Sequence, residues 1–388
     1  MSEALSYVLV TPYTVAKSRT GGVISRLLSQ TDLELAGAQL FAPDRPFAAR
    51  YAAVLRAQAK GETSLLADYV EQNFAAPDGA PLGGRAGALF LLFRGADPCK
   101  KLAAVCGHMH PEHRSGLDEV RGQSIRDTYA DLILAPDNSG KCVYFEPAVI
   151  TPRDQPEADA NLKLFLPLLQ TSGNVIGSAR HANPAAQRTL VIIKPDNWSY
   201  ASARPGSIID MFSRTGLRII GVKIHRFSLE EALDFYGPVE TALTQKLAPV
   251  FGKKARALLE REFGLPLSDA VEQALTGSFG AAYARDQFEQ IVEFMSGHRP
   301  GKPETRQVKC MIVIYEGEDA IGKIRGVLGP TDPLKAPAGT IRREFGSNVM
   351  VNTAHASDAP ESFEREQAIV KIHENTAAAI IAEYLGSP

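Results

Sequence analysis

His355 lies in the segment Asn352-Thr-Ala-His-Ala-Ser-Asp358, which is small, polar and placed after an extended run. A helix is expected from about Pro360, because proline suits a first helical turn and Asp358 stands where a capping side chain would. An imidazole at that point is exposed enough to meet a ligand and close enough to a helix N-terminus to meet an anion. Neutral imidazole is also nucleophilic near pH 7. Taken alone, a histidine is more often structural or solvated. Its neighbours therefore carry the argument: Gly339-Thr-Ile-Arg-Arg-Glu-Phe-Gly-Ser-Asn348 before it and Glu364-Arg-Glu366 after it.

Two other clusters compete for attention. Gly317-Glu-Asp-Ala-Ile-Gly322-Lys323 matches most of a phosphate-binding loop, but Ile324 stands where a hydroxyl must meet magnesium, and Glu318 and Asp319 would repel phosphate. A helix cap at Gly-x-Asp is the better reading. Cys106-Gly-His-Met-His110-Pro-Glu-His113 offers Cys106, His108, His110 and His113 as a nitrogen and sulfur set for zinc. The tight spacing makes tetrahedral ligation awkward, and a polar surface loop is the alternative.

The elements that must position these residues occur twice. Ser6-Tyr-Val-Leu-Val-Thr-Pro12, Gly22 to Ser29 and Leu33 to Leu40 resemble Thr189-Leu-Val-Ile-Ile-Lys-Pro195, Gly206 to Ser213 and Leu217 to Ile224. Each reads as strand, loop, amphipathic helix and strand. Ala88–Asp97 then matches Met311–Asp319, and Ser124-Ile-Arg126 matches Thr340-Ile-Arg342. The order suits an α/β fold (an α+β sandwich) of two tandem ferredoxin-like domains with antiparallel sheets. The expected domains are 1–175 and 187–388, joined by a Gly-, Ser- and Asn-rich linker, with a helical insertion at about 238–285 in the second.

The second repeat resembles nucleoside diphosphate kinase. The likeness rests on Lys194-Pro-Asp196, on Gly329-Pro-Thr-Asp-Pro333, on Pro337-Ala-Gly-Thr-Ile-Arg342 and on Asn352-Thr-Ala-His-Ala-Ser-Asp358 with Glu366. It covers nearly all of 188–372 apart from the insertion. The resemblance implies a ping-pong exchange in which His355 takes the γ-phosphate of a nucleoside triphosphate and passes it to a diphosphate. It also implies that Glu366 holds the ring and that Ser357 lies beside the histidine. Lys194, Arg325 and Arg342 take phosphate-binding positions with Thr331 as hydroxyl donor, Tyr236 lies near the transferred phosphate, and Asn352 contacts the sugar. Mg2+ would arrive on the nucleotide phosphates, with no metal ligand from the protein itself.

Departures from that pattern fall on base and sugar contacts. Met350-Val351 replace Gly-Arg before the asparagine, and Gln287 beside Phe288 stands where a base-stacking aromatic is expected. In the first repeat the counterparts of Lys194, Arg325 and His355 are Thr11, Ala103 and Thr151, and only Arg126 survives. The first domain is therefore expected to be non-catalytic. The competing function is a nucleotide-binding or scaffold protein of the same fold that turns nothing over.

Partners follow from charge and from the family. Lys plus Arg number 42 against 44 Asp plus Glu, a net charge of −2, which gives no field for gathering nucleic acid. No apolar run reaches the ~18 residues of a membrane span. The N-terminus lacks a basic n-region, and four cysteines without CxxC spacing suit reduced thiols, so the expected location is cytoplasmic. The family builds oligomers from single-domain dimers, so the resemblance implies that the two fused domains form a pseudo-dimer within a homo-oligomer.

Overall fold

The computed structural model describes residues 3–58, 64–75, 87–109, 122–134, 136, 142–176, 185–303 and 305–386. The first half contains strands β1 (Ala4–Val10), β2 (Glu34–Phe41), β3 (Ala88–Gly95), β4 (Asp131–Leu134), β5 (Cys142–Glu146) and β6 (Val149–Ile150). Its helices are α1 (Pro12–Ala16), α2 (Thr20–Ser29), α3 (Arg45–Gln58), α4 (Ser64–Asn73), α5 (Pro98–Cys106), α6 (Ile125–Tyr129) and α7 (Gln155–Thr171). The second half begins with β7 (Ala186–Ile193), α8 (Arg204–Ser213) and β8 (Arg218–His225). After the helical insertion of α9 (Leu229–Phe263), α10 (Asp269–Leu275) and α11 (Ala281–Ser296) come β9 (Cys310–Glu318), α12 (Ala320–Leu328), α13 (Ile341–Phe345), β10 (Ala354–Ala356), α14 (Pro360–Ile369) and α15 (Thr376–Gly386).

Eight strands form one antiparallel sheet in the order β10-β7-β9-β8-β2-β3-β1-β6. Each half contributes the same ferredoxin-like order, and the two are joined edge to edge where Gln39 on β2 faces Lys223 on β8. Successive residues of β1, β7 and β9 are buried, so both faces of the sheet are covered. That is why these strands read as continuous apolar runs rather than as alternating ones. Gln39 and Lys223 are polar yet buried. Each donates to carbonyls at a helix C-terminus: Gln39 to Leu169 in the last turn of α7 and to Ser172 just after it, Lys223 to Val370 and Lys371 beyond α14.

Backbone detail repeats as well. A bulge falls at Leu35/Gly37 in β2 and at Ile219/Gly221 in β8. Gly107 and Gly329 close α5 and α12 with φ of 82° and 83°. Their carbonyls accept from Arg126 and Arg342, while a Cβ would press on Ser124 and Thr340, so glycine is required at both. Helices α2 and α8 meet at Gly21 and Gly206, where a Cβ on either would lie 2.3–2.5 Å from backbone atoms of the other helix.

The chain forms two compact units, Met1–His225 with Cys310–Pro388, and Arg226–Lys309. This cut differs from a division near residues 175–187, because the β2–β8 pairing runs both halves of the sheet together. The second unit is helical. Ser228 and Glu231 form a capping box at the start of α9, and Phe251 stacks on Tyr283 of α11 with ring centroids 3.6 Å apart. Arg256 bonds Glu260 one turn on, as the charge spacing suggests, and also reaches Asp269 and Glu272.

Two expected caps are not made. Asp358 does not cap α14, whose N-cap is Ala359; its carboxylate accepts instead from the Ser362 hydroxyl at 2.6 Å. Asp319 stands at the N-cap of α12, but with φ 50° its side chain makes no capping bond. A cap needs an extended backbone that aims the side chain back at the first turn, and the left-handed residue lacks it.

Candidate active site

The site is built on two short elements at the end of the sheet. Strand β7 carries a buried apolar run up to Ile193 and ends at Lys194, where Pro195 opens a single 3₁₀ turn. Strand β10 pairs with β7 so that His355 faces Ile192. Ala354 and Ala356 are buried, while His355 between them keeps 24% of its side chain exposed. That alternation sends the imidazole off the opposite face from its two small neighbours.

His355 Nε2 lies 2.9 Å from Glu366 Oε1, and the Ser357 hydroxyl donates to Glu366 Oε2 at 2.7 Å. Glu366 is nearly inaccessible at 4%. This contact goes through Nε2, so the tautomer that donates to Glu366 is the one whose lone pair is on Nδ1. Ser357 is fixed in turn by its exchange with Leu190 on β7. Glu366 reaches this position because α14 starts at Pro360, as the sequence predicts, and returns toward the strand on its second turn.

A second cluster surrounds Lys194. Its buried ammonium donates to Asn352 Oδ1 at 2.7 Å, and Asn352 Nδ2 donates to the carbonyls of Thr331 and Val349. Burial brings the Lys194 pKa down to about 8; nearby Arg342 lowers it further and Asp196 opposes. Asp196 is itself raised by burial, against the pull of Arg204 and Lys194. Arg342 donates to the carbonyls of Gly329 and Ala354 at 2.9 Å each, tying the end of α12 to β10. Arg325 is exposed on the last turn of α12, and its charge helps to hold Asp358 below the ordinary carboxylate range, after the larger effect of the Ser362 hydroxyl. Thr331 is exposed.

Tyr236 belongs to the helical unit, buried on α9 beside Phe235. Cys106 is buried at the end of α5, and burial pushes its thiol up to about 11. His108 is described, whereas His110 and His113 lie outside the described residues. Among the described residues, no three His, Cys, Asp or Glu side chains group to hold a metal ion. Cys99, Cys106 and Cys310 are buried and not joined in disulfides.

The first half corrects one expected correspondence. Thr11 N–H bonds the Ala148 carbonyl as Lys194 N–H bonds the Thr353 carbonyl, and Ile150 faces Leu9 as His355 faces Ile192. Ile150, not Thr151, therefore occupies the register of His355. The same register sets Asn161 on α7 opposite Glu366. Arg126 donates to the carbonyls of Gly107 and Val149, the same pair of contacts that Arg342 makes. Its retention is thus explained by backbone bracing. The position of Lys194 is held by Thr11, whose hydroxyl donates to the buried Glu146.

Three residues that motif reading passes over belong to this site. Asn197 and Arg204 both donate to Thr353, two residues before His355, and Asn197 also donates to the Lys194 carbonyl. Thr353 has φ +77°, which no residue type announces.

A family model described as nucleoside diphosphate kinase matches residues 269–375. The nucleoside diphosphate kinase of Halorhodospira halophila is 31% identical over 182 residues, which is 47% of this chain and 90% of that protein. That of Maricaulis maris is 34% identical over 185 residues, 47% of this chain and 91% of its own. Among solved structures, an orthorhombic crystal form of the Aquifex aeolicus nucleoside diphosphate kinase shares 29% identity at a TM-score of 0.31, over 48% of this chain and 95% of that one. Among the described residues, no helix is long and apolar enough to cross a membrane. With relatives above 30% identity matched over nine-tenths of their length, the chain belongs to the nucleoside diphosphate kinase family.

Proposed function

We propose that this chain moves the γ-phosphate of a nucleoside triphosphate to a nucleoside diphosphate by a ping-pong route through a phosphohistidine at His355. The observation that carries this reading is the hydrogen-bonded set His355–Glu366–Ser357, with a partly exposed imidazole held through Nε2. Nδ1 attacks the γ-phosphorus, the bond to the β–γ bridging oxygen breaks, and the nucleoside diphosphate leaves with that electron pair. Glu366 balances the positive charge that the ring acquires. A second diphosphate then takes the phosphoryl group in the reverse of this step and restores the lone pair.

Such a transfer is mostly a matter of position and charge. Lys194 and Arg325 supply cations toward the phosphates, with Arg342 behind them and the Thr331 hydroxyl as a donor. Asn352 faces the sugar, and Tyr236 is assigned near the transferred phosphate by resemblance alone. Mg2+ is assigned by the family resemblance alone, as an ion carried on the nucleotide phosphates. When bound it would neutralise phosphate charge.

The reading extends to the whole chain as one fold written twice by tandem duplication. In the first half Ile150, Asn161, Thr11 and Ala103 stand at the positions of His355, Glu366, Lys194 and Arg325. At those four positions the first half has no nucleophile, and the carboxylate of Glu146 lies beside its cation position, so it serves folding or assembly. A cytoplasmic nucleotide pool is the matching setting.

Incubation with γ-labelled ATP tests the central claim. An acid-labile, base-stable label on the native chain, absent from His355→Ala, is expected. No label on a native chain that still binds nucleotide would favour the scaffold reading instead.

A further inference from the structure

Thr353 is a β-branched residue with φ +77° and no exposed surface. In the left-handed region its Cβ crowds the backbone, and such a conformation persists only where surrounding bonds over-determine it. Those bonds are present. The Thr353 carbonyl accepts from the Lys194 N–H at 3.0 Å and from the Asn197 side-chain amide at 2.7 Å. The Thr353 hydroxyl accepts from Arg204 Nη2 at 3.2 Å. The same nitrogen shares its two hydrogens with Asp196 Oδ2 at 3.0 Å and the Phe345 carbonyl as well. The guanidinium also lies over the Phe345 ring, 5.7 Å from its centroid. One side chain therefore joins the turn after β7, the end of α13 and the residue that follows Asn352.

The first half supplies an internal comparison. Arg19 Nη1 donates to the Tyr129 carbonyl at 3.0 Å and lies 5.8 Å from that ring's centroid, as Arg204 does at Phe345. The left-handed position is there too, at φ +61°, but it is filled by Ala148. Tyr13 stands where the second half has Asp196. The arginine clamp on a carbonyl is thus common to both halves. The hydroxyl and the carboxylate occur only in the half that carries His355. Alanine is sufficient to make the turn, so the threonine hydroxyl serves something beyond the turn itself.

We infer that Asp196, Arg204 and Thr353 are positioning residues for phosphoryl transfer. They set the pose of Asn352 and, through the β10 backbone, hold His355 against Glu366. This rests on the phosphotransfer reading above. None of the three is placed on the reacting atoms.

Thr353→Val removes the hydroxyl and keeps the branching, Thr353→Ser keeps the hydroxyl, and Arg19→Lys in the other half is the control. Two quantities are measured, the steady-state kcat and KM and the ¹⁵N signals of the His355 ring in nucleotide-free protein. Because a displacement of about 1 Å can cost ~100-fold, Thr353→Val should lower kcat roughly ten- to a hundredfold with KM changed less than about threefold. Thr353→Ser should restore the native rate, and Arg19→Lys should leave it unchanged. The ring signals should move away from the Nε2-protonated form in Thr353→Val and stay in Thr353→Ser. A Thr353→Val protein with native rate and native ring signals overturns the inference. A native chain that forms no phosphohistidine overturns the phosphotransfer reading instead, and the ring signals then still decide whether Thr353 positions His355.

Discussion

Lys194 combines burial with a charge that polyphosphate binding needs. Its pKa of about 8 means that the ammonium is lost within an ordinary working range. If Lys194 meets nucleotide phosphate, affinity for a nucleoside diphosphate should weaken as pH rises through about 8. Lys194→Arg should flatten that limb, because guanidinium stays charged throughout. Calorimetric dissociation constants measured across the interval check this, and an unchanged limb in the variant would remove Lys194 from the phosphate site. The stability effect has a definite sign. Between about 8 and the ordinary 10.5 the unfolded chain binds more protons than the folded one, so this group's contribution improves as pH rises through that window. At this scale the legible part of the site was side-chain identity. His355, Ser357 and Glu366 share a short strand-turn-helix, so their spacing alone brings them together. Thr353 and Arg204 were not legible, because a left-handed backbone and a bond across some 150 residues are imposed by tertiary structure.

Elements show the same division between local and imposed structure. Strands β1, β2, β3, β7, β8 and β9 and helices α2 and α8 fall where apolar periodicity places them. The one-residue error at Ile150 has a physical source: β6 is only two residues long, too short for its own pattern to fix a register. Helix α15 lies beyond the repeat pattern, and its partner is set by tertiary structure. It packs on α7 and β2, with Ala378 and Ile381 inside the first half's core and Tyr384 donating to Asp159. The last helix of the chain thereby completes the core of the half that lacks the histidine. Ile381→Ala should cost about 2–5 kcal/mol. Hydrogen exchange should show the loss of protection in α7 and β2. Faster exchange confined to residues 186–388 would contradict that assignment.

For the whole molecule, the sheet junction bears on assembly. Relatives of single-repeat length match 47% of this chain, and the β2–β8 pairing joins two repeats of the same strand order within one polypeptide. An interface that separate chains would have to form by association is here covalent, so it forms at any concentration. What remains open to assembly is limited. The outer strands β6 and β10 are two and three residues long, and such short edges are poor templates for extending a sheet. A further oligomer must therefore use other surfaces, and the proposed pseudo-dimer would act as its repeating unit. Light scattering should then return an integral multiple of the 41.9 kDa chain mass, a trimer at roughly three times that value having as many folds as a hexamer of single domains. A strict monomer over a wide concentration range would show that fusion satisfies the only interface this chain uses, and that the first half serves folding alone.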